Sequence, residues 1–101
     1  MSALARESIA PPLIGTVRVG TDVYDVRQDT GWPVTIWRDG QTVGYVTPSE
    51  LRLACEGRVP AIGTSGPETA RLAARHFRLR QAVAAIIRDP DQHIDLTGYS
   101  S

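Results

Sequence analysis

The stretch Val34-Thr35-Ile36-Trp37-Arg38-Asp39-Gly40-Gln41-Thr42-Val43-Gly44-Tyr45-Val46 decides the fold. Two runs rich in β-branched and aromatic residues flank Asp39-Gly40, a dipeptide suited to a two-residue type I′ turn because both central positions need positive φ. Counting outward from that turn places Trp37 opposite Thr42, Ile36 opposite Val43 and Val34 opposite Tyr45.

Upstream, a loop at Asp29-Thr30-Gly31 with Gly31 left-handed pairs Val26 with Val34 and Tyr24 with Ile36. A Gly20-Thr21 turn then brings Val17 opposite Tyr24. The three turns agree in placing Val17, Tyr24, Val26, Val34, Ile36, Val43 and Tyr45 on one face of a meander. The opposite face carries Arg18, Val23, Asp25, Arg27, Thr35, Trp37 and Thr42, a mixture suited to water.

Downstream, Thr47-Pro48-Ser49-Glu50 and Ser65-Gly66-Pro67-Glu68 both have capping-box spacing and predict two helix starts. The first helix, near residues 48–56, turns Leu51, Ala54 and Cys55 inward and stops at Gly57. The second runs from about Pro67 to Asp89, ahead of Pro90, with Leu72, Leu79, Val83 and Ile86 inward. At about 34 Å it overhangs a sheet whose strands span about 20 Å. The expected fold is therefore α+β: a four-stranded antiparallel β-meander followed by a short helix and a long C-terminal helix packed on one face. Residues 1–12 read as a flexible N-terminal tail, 13–89 as a single α+β domain and 90–101 as a polar C-terminal tail.

Composition bounds the rest. A chain of 101 residues, 42% hydrophobic and 22% charged, has room for one core. Eleven basic residues, all Arg, balance 11 acidic ones, so any polyanion site must be a local patch. Arg without Lys reads as GC-rich coding of an actinobacterial or phage-like kind. The lone Cys55 forms no internal disulfide, no signal peptide is evident, and no run approaches the roughly 18 apolar residues of a membrane helix. A soluble cytoplasmic protein without membrane contact is expected.

The sequence contains no GxSxG, Walker, GxGxxG or HExxH pattern, and no enzyme activity, catalytic residue, metal site or cofactor is expected. Cys55 reads as a small core hydrophobe, His76 as a packing residue, and His93 among Asp89, Asp91 and Asp95 matches no metal-ligand spacing. The Gly63 to Ser65 loop could receive an anion at a helix start, but its cap residues are already engaged there. Trp37 falls on the open face, where an indole anchors a protein partner, stacks a base or is covered by the N-terminal tail. Arg71, Arg75 and Arg78 recur at i, i+4 and i+7, with Arg80 close by, and align guanidinium groups along one helix side. Ala73, Phe77 and Ala84 form a second apolar strip on that helix, to be covered by the first helix or another subunit.

Three function classes follow. The first is a small non-enzymatic binding or regulatory module acting through protein contacts at Trp37, Phe77, Ala73 and Ala84, and forming a homo-oligomer. The alternative is a nucleic-acid-binding regulator using Arg71, Arg75, Arg78, Arg80 and Trp37. The third is a small enzyme whose residues converge only in three dimensions.

Overall fold

The computed structural model describes residues 11–30, 33–64 and 77–96. In chain order the elements are β1 (Leu13–Val19), β2 (Asp22–Arg27), β3 (Val34–Arg38), β4 (Gln41–Val46), α1 (Pro48–Cys55), β5 (Gly63–Thr64), α2 (Phe77–Arg88) and β6 (Gln92–Asp95). They form an α+β unit whose six-stranded sheet has the order β5-β4-β3-β2-β1-β6. The antiparallel meander β1 to β4 lies at its centre, as the turn pattern predicts.

Two of the three predicted turns form, and Gly31 of the third lies outside the described residues. Asp39 and Gly40 have φ of 55° and 77°, and Gly20 has 61°. Val17 pairs with Tyr24, and Trp37 with Thr42. Two registers differ from expectation. Between β2 and β3 the connection covers residues 28–33 rather than three residues, and Val26 faces Ile36 instead of Val34. A two-residue slip preserves which side chains point inward. Between β3 and β4 the ladder shifts after Ile36, so Ile36 faces Gly44 and Val34 faces Val46. One extra residue in β4 reverses the facing of everything after it. Val46 is therefore fully buried, and Tyr45, expected inside, is 39% exposed.

The core joins Val17, Tyr24, Val26, Val34, Ile36 and Val46 of the sheet to Leu79, Ala82, Val83 and Ile86 of α2. The helix approaches β1 so closely that Gly15 leaves no space for a side chain: a Cβ there would stand 2.6 Å from Ile86 Cγ2.

Helix α1 begins with the predicted capping box. Thr47 Oγ1 accepts from the Glu50 amide, and Glu50 Oε1 accepts from the Thr47 amide at 3.1 Å. It ends in a Schellman motif: Gly57, at φ 85°, donates to the Ala54 carbonyl, and Arg58 donates to that of Leu53. Leu51 packs on the core and Ala54 is buried, but Cys55 is exposed, which corrects the inward stripe. The helix stops at Cys55, so its apolar edge is only the i, i+3 pair Leu51 and Ala54.

The described part of the second helix spans Phe77–Arg88, one residue shorter at its end than expected. The proposed start at Ser65 to Glu68, together with Leu72 and His76, lies outside the described residues. Gln92 Nε2 donates to the Asp89 carbonyl at 2.9 Å and closes the turn into β6.

That last strand corrects the reading of residues 90–101 as a tail. Gln92–Asp95 pair in parallel with Gly15–Arg18 of β1. Ile94 packs against the core, and Leu96 belongs to it. A parallel partner brought back across the sheet by a helix is a β-helix-β connection, and the driving force is burial of Ile94 and Leu96. Among the described residues no helix is long and apolar enough to cross a membrane.

Candidate functional site

The helices cover one face of the sheet, and side chains on the other stand in rows set by the strand registers. One row reads His93, Thr16, Asp25, Trp37 and Thr42, and the next Arg27, Thr35, Tyr45 and Gly63. Alternation along each strand directs these residues away from the buried Val17, Tyr24, Val26 and Ile36.

Trp37 sits at the middle of this face, half-buried. Its indole Nε1 donates to Thr35 Oγ1 at 2.7 Å, and the Arg27 guanidinium lies 5.9 Å from the ring centroid. Arg27 is itself held by the Pro11 carbonyl at 2.8 Å and by Asp25 at 3.4 Å. The indole is therefore a fixed platform with a cation over it rather than a bare stacking surface. Tyr45 lies beside Gly63, where a Cβ would stand 2.3 Å from its ring, so the absent side chain makes room for the phenol. Val23, 46% exposed, extends the apolar part of the face.

At the β1 and β6 end, Thr16 Oγ1 and His93 Nδ1 are 2.5 Å apart. Leu13, Gly15, Asp91 and Gln92 complete a shallow cleft of about 260 Å³ around them. A hydroxyl beside an imidazole is the minimum nucleophile and base pair. Acyl-transfer catalysis would also need donors aimed at a developing oxyanion. Among the described residues no group of three or more His, Cys, Asp or Glu could hold a metal ion.

Phe77, half exposed at the start of α2, carries the Arg80 guanidinium 5.5 Å from its ring centroid. Arg80 is thereby half-buried, and its Nε is without a hydrogen-bond partner among the described residues. Arg78 is exposed. Ala84 is 5% exposed, so the chain itself covers it, and α1 touches α2. This places Ala84 inside rather than on a free interface with Phe77. Ala73, Arg71 and Arg75 lie outside the described residues.

Sequence reasoning passed over Thr16, placed Tyr45 inside, and weighed His93 only as a metal ligand. The β4 bulge hides Tyr45, because no composition signal marks it. The strand holding His93 was readable from the alternation Ile94, Leu96, which the polar neighbours Asp91, Gln92 and Asp95 masked.

No protein-family model matches the chain, no curated protein matches it, and no solved structure matches it.

Proposed function

We propose that this chain is a non-enzymatic binding or regulatory module that works through protein contacts and self-associates. The observation that carries the reading is the open sheet face, where Trp37, Tyr45 and Arg27 lie on adjacent strands. Trp, Tyr and Arg are the residue types that anchor protein interfaces, because each offers a large contact area with a polar handle. Phe77 provides a second exposed apolar point on the helix layer.

The nucleic-acid alternative draws on exposed Arg78, but the structure favours it less. Arg27 occupies a position over Trp37 that a stacked base would need, and Arg80 is engaged with Phe77. Zero net charge offers no general attraction to phosphate.

Light scattering on the purified chain tests this reading. The expected mass lies above the 11.0 kDa of one chain, rises with concentration and is unmoved by a single-stranded oligonucleotide. A mass of one chain at every concentration, with salt-sensitive oligonucleotide binding, would overturn it.

A further inference from the structure

The helices lie on one face of the sheet, and exposed apolar side chains gather on the other. Among the described residues four large hydrophobic side chains are exposed, and three of them, Leu13, Val23 and Tyr45, stand on this open face. Their neighbours fix the direction. Leu13 precedes the core-packed Ile14 and pairs with Arg27, Val23 precedes the buried Tyr24, and Tyr45 precedes the buried Val46.

Charge narrows what can cover them. Asp25 and Arg27 pair with each other at 3.4 Å, and the chain as a whole carries no net charge. A partner steered by charge needs a patch of one sign, whereas a second copy meets no repulsion at the middle of this face. The area suffices as well. Strands β4 to β1 with β6, about 4.8 Å apart and up to about 20 Å long, present on the order of 500 Å² in flat projection. Two such faces together reach the roughly 1,000 Å² that a specific interface needs.

We propose that this face packs on the same face of a second copy of this chain, about a two-fold axis that runs along the strands between β2 and β3; this rests on the reading of the chain as self-associating. The strand registers supply the symmetry. One row runs Leu13, Arg27, Thr35, Tyr45 across β1, β2, β3 and β4. Its two apolar members stand equally far from the axis, so Leu13 of each copy lies over Tyr45 of the other. Trp37 lies over Asp25, whose charge Arg27 balances. Sheets packed in this way stand about 10 Å apart, with strand directions within about 30°. A two-fold axis across the strands would instead set Leu13 over Arg18 and Val23 over Arg27, an apolar group on a cation each time. The axis along the strands matches apolar to apolar, as a self-complementary interface requires.

The test is dimer dissociation measured by light scattering across a dilution series. Leu13→Glu and Tyr45→Lys are each expected to raise the dissociation constant about tenfold, because each dimer then buries two charges against apolar partners. Mixed in equal amounts, the two variants should associate as tightly as the unaltered chain, since a mixed dimer opposes Glu to Lys once and Leu to Tyr once. Phe77→Asp, on the helix layer, should leave the constant unchanged. Thermal melts confirm that each variant is folded. Independently, in a Cys55→Ser background, Leu13→Cys and Tyr45→Cys chains should be joined by a bismaleimide of about 10 Å reach when mixed, and neither should be joined to itself. An oligomer that ignores both face variants, or that fails to recover on mixing and gives no mixed crosslink, overturns the pairing and leaves self-association standing. A chain that stays at 11.0 kDa at every concentration sinks both and leaves the face to a different protein.

Discussion

Gly15 and Ile86 meet where no third group could fit: a Cβ on Gly15 would lie 2.6 Å from Cγ2 and 3.0 Å from Cδ1 of Ile86. Both residues are buried, and their contact sets how near α2 comes to β1. Gly15→Ala must push the helix outward or force Ile86 off its rotamer, and overpacking of this kind costs about 1–3 kcal/mol. Thermal unfolding should show a loss of several degrees. With Ile86→Ala added, the combined loss should fall short of the sum of the two single losses, because the second change opens the space that the first one needs.

Thr47→Ala removes the acceptor for the Glu50 amide at the start of α1. A lost N-cap costs about 1 kcal/mol. Urea unfolding should show a lower midpoint at unchanged slope, as expected when stability changes and the surface exposed on unfolding does not. A change in slope, or no shift, would contradict a structural role for the cap.

Phe77 is 49% exposed, and the guanidinium of Arg80 lies over its ring. Phe77→Asp should therefore leave the chain folded, with a stability change of about 0.5 kcal/mol or less, the usual range at surface positions. Circular dichroism melts measure this directly. Complete unfolding would place Phe77 in the core.

Single-stranded oligonucleotide at low salt is expected to bind no more tightly than to any neutral surface. Should binding appear, replacing Arg75 and Arg78 by Gln ought to reduce its salt slope by about two units, since each lost phosphate contact removes about one. Trp37→Ala ought to leave the slope unchanged, because stacking releases no counterions. Such a pattern would favour the nucleic-acid reading over protein contact.

Local chemistry made the hairpins and the first helix legible. Asp39-Gly40 and Gly20 needed left-handed backbone and have it, and Thr47 with Glu50 formed its box. The stripe Leu79, Val83, Ile86 follows from helical spacing alone, and all three are buried. What escaped depended on partners distant in sequence. The β4 bulge is a compromise between the Asp39-Gly40 turn and the burial of Val46, and neither segment alone reveals it. β6 looks polar because three of its four residues are Gln, His and Asp, and its strand character comes from the waiting edge of β1. Of the candidate site, Trp37 and Arg27 were placed on one face by counting from turns, while the closeness of Thr16 to His93 required knowledge of that last strand.

The bond between Thr16 and His93 joins residues 77 apart in the chain. Each strand of the meander finds its neighbour across a short turn, within microseconds for an isolated hairpin. The seam between β1 and β6 must instead wait for the intervening polypeptide to collapse, and the entropy of closing so long a loop opposes it. The order of assembly is thus written into the strand order: the hairpins come first, α2 lands on them, and the final strand closes the sheet last. On a ribosome this seam cannot form until residues 92–95 emerge, so β1 meets its last partner well after its hairpin with β2 has been made.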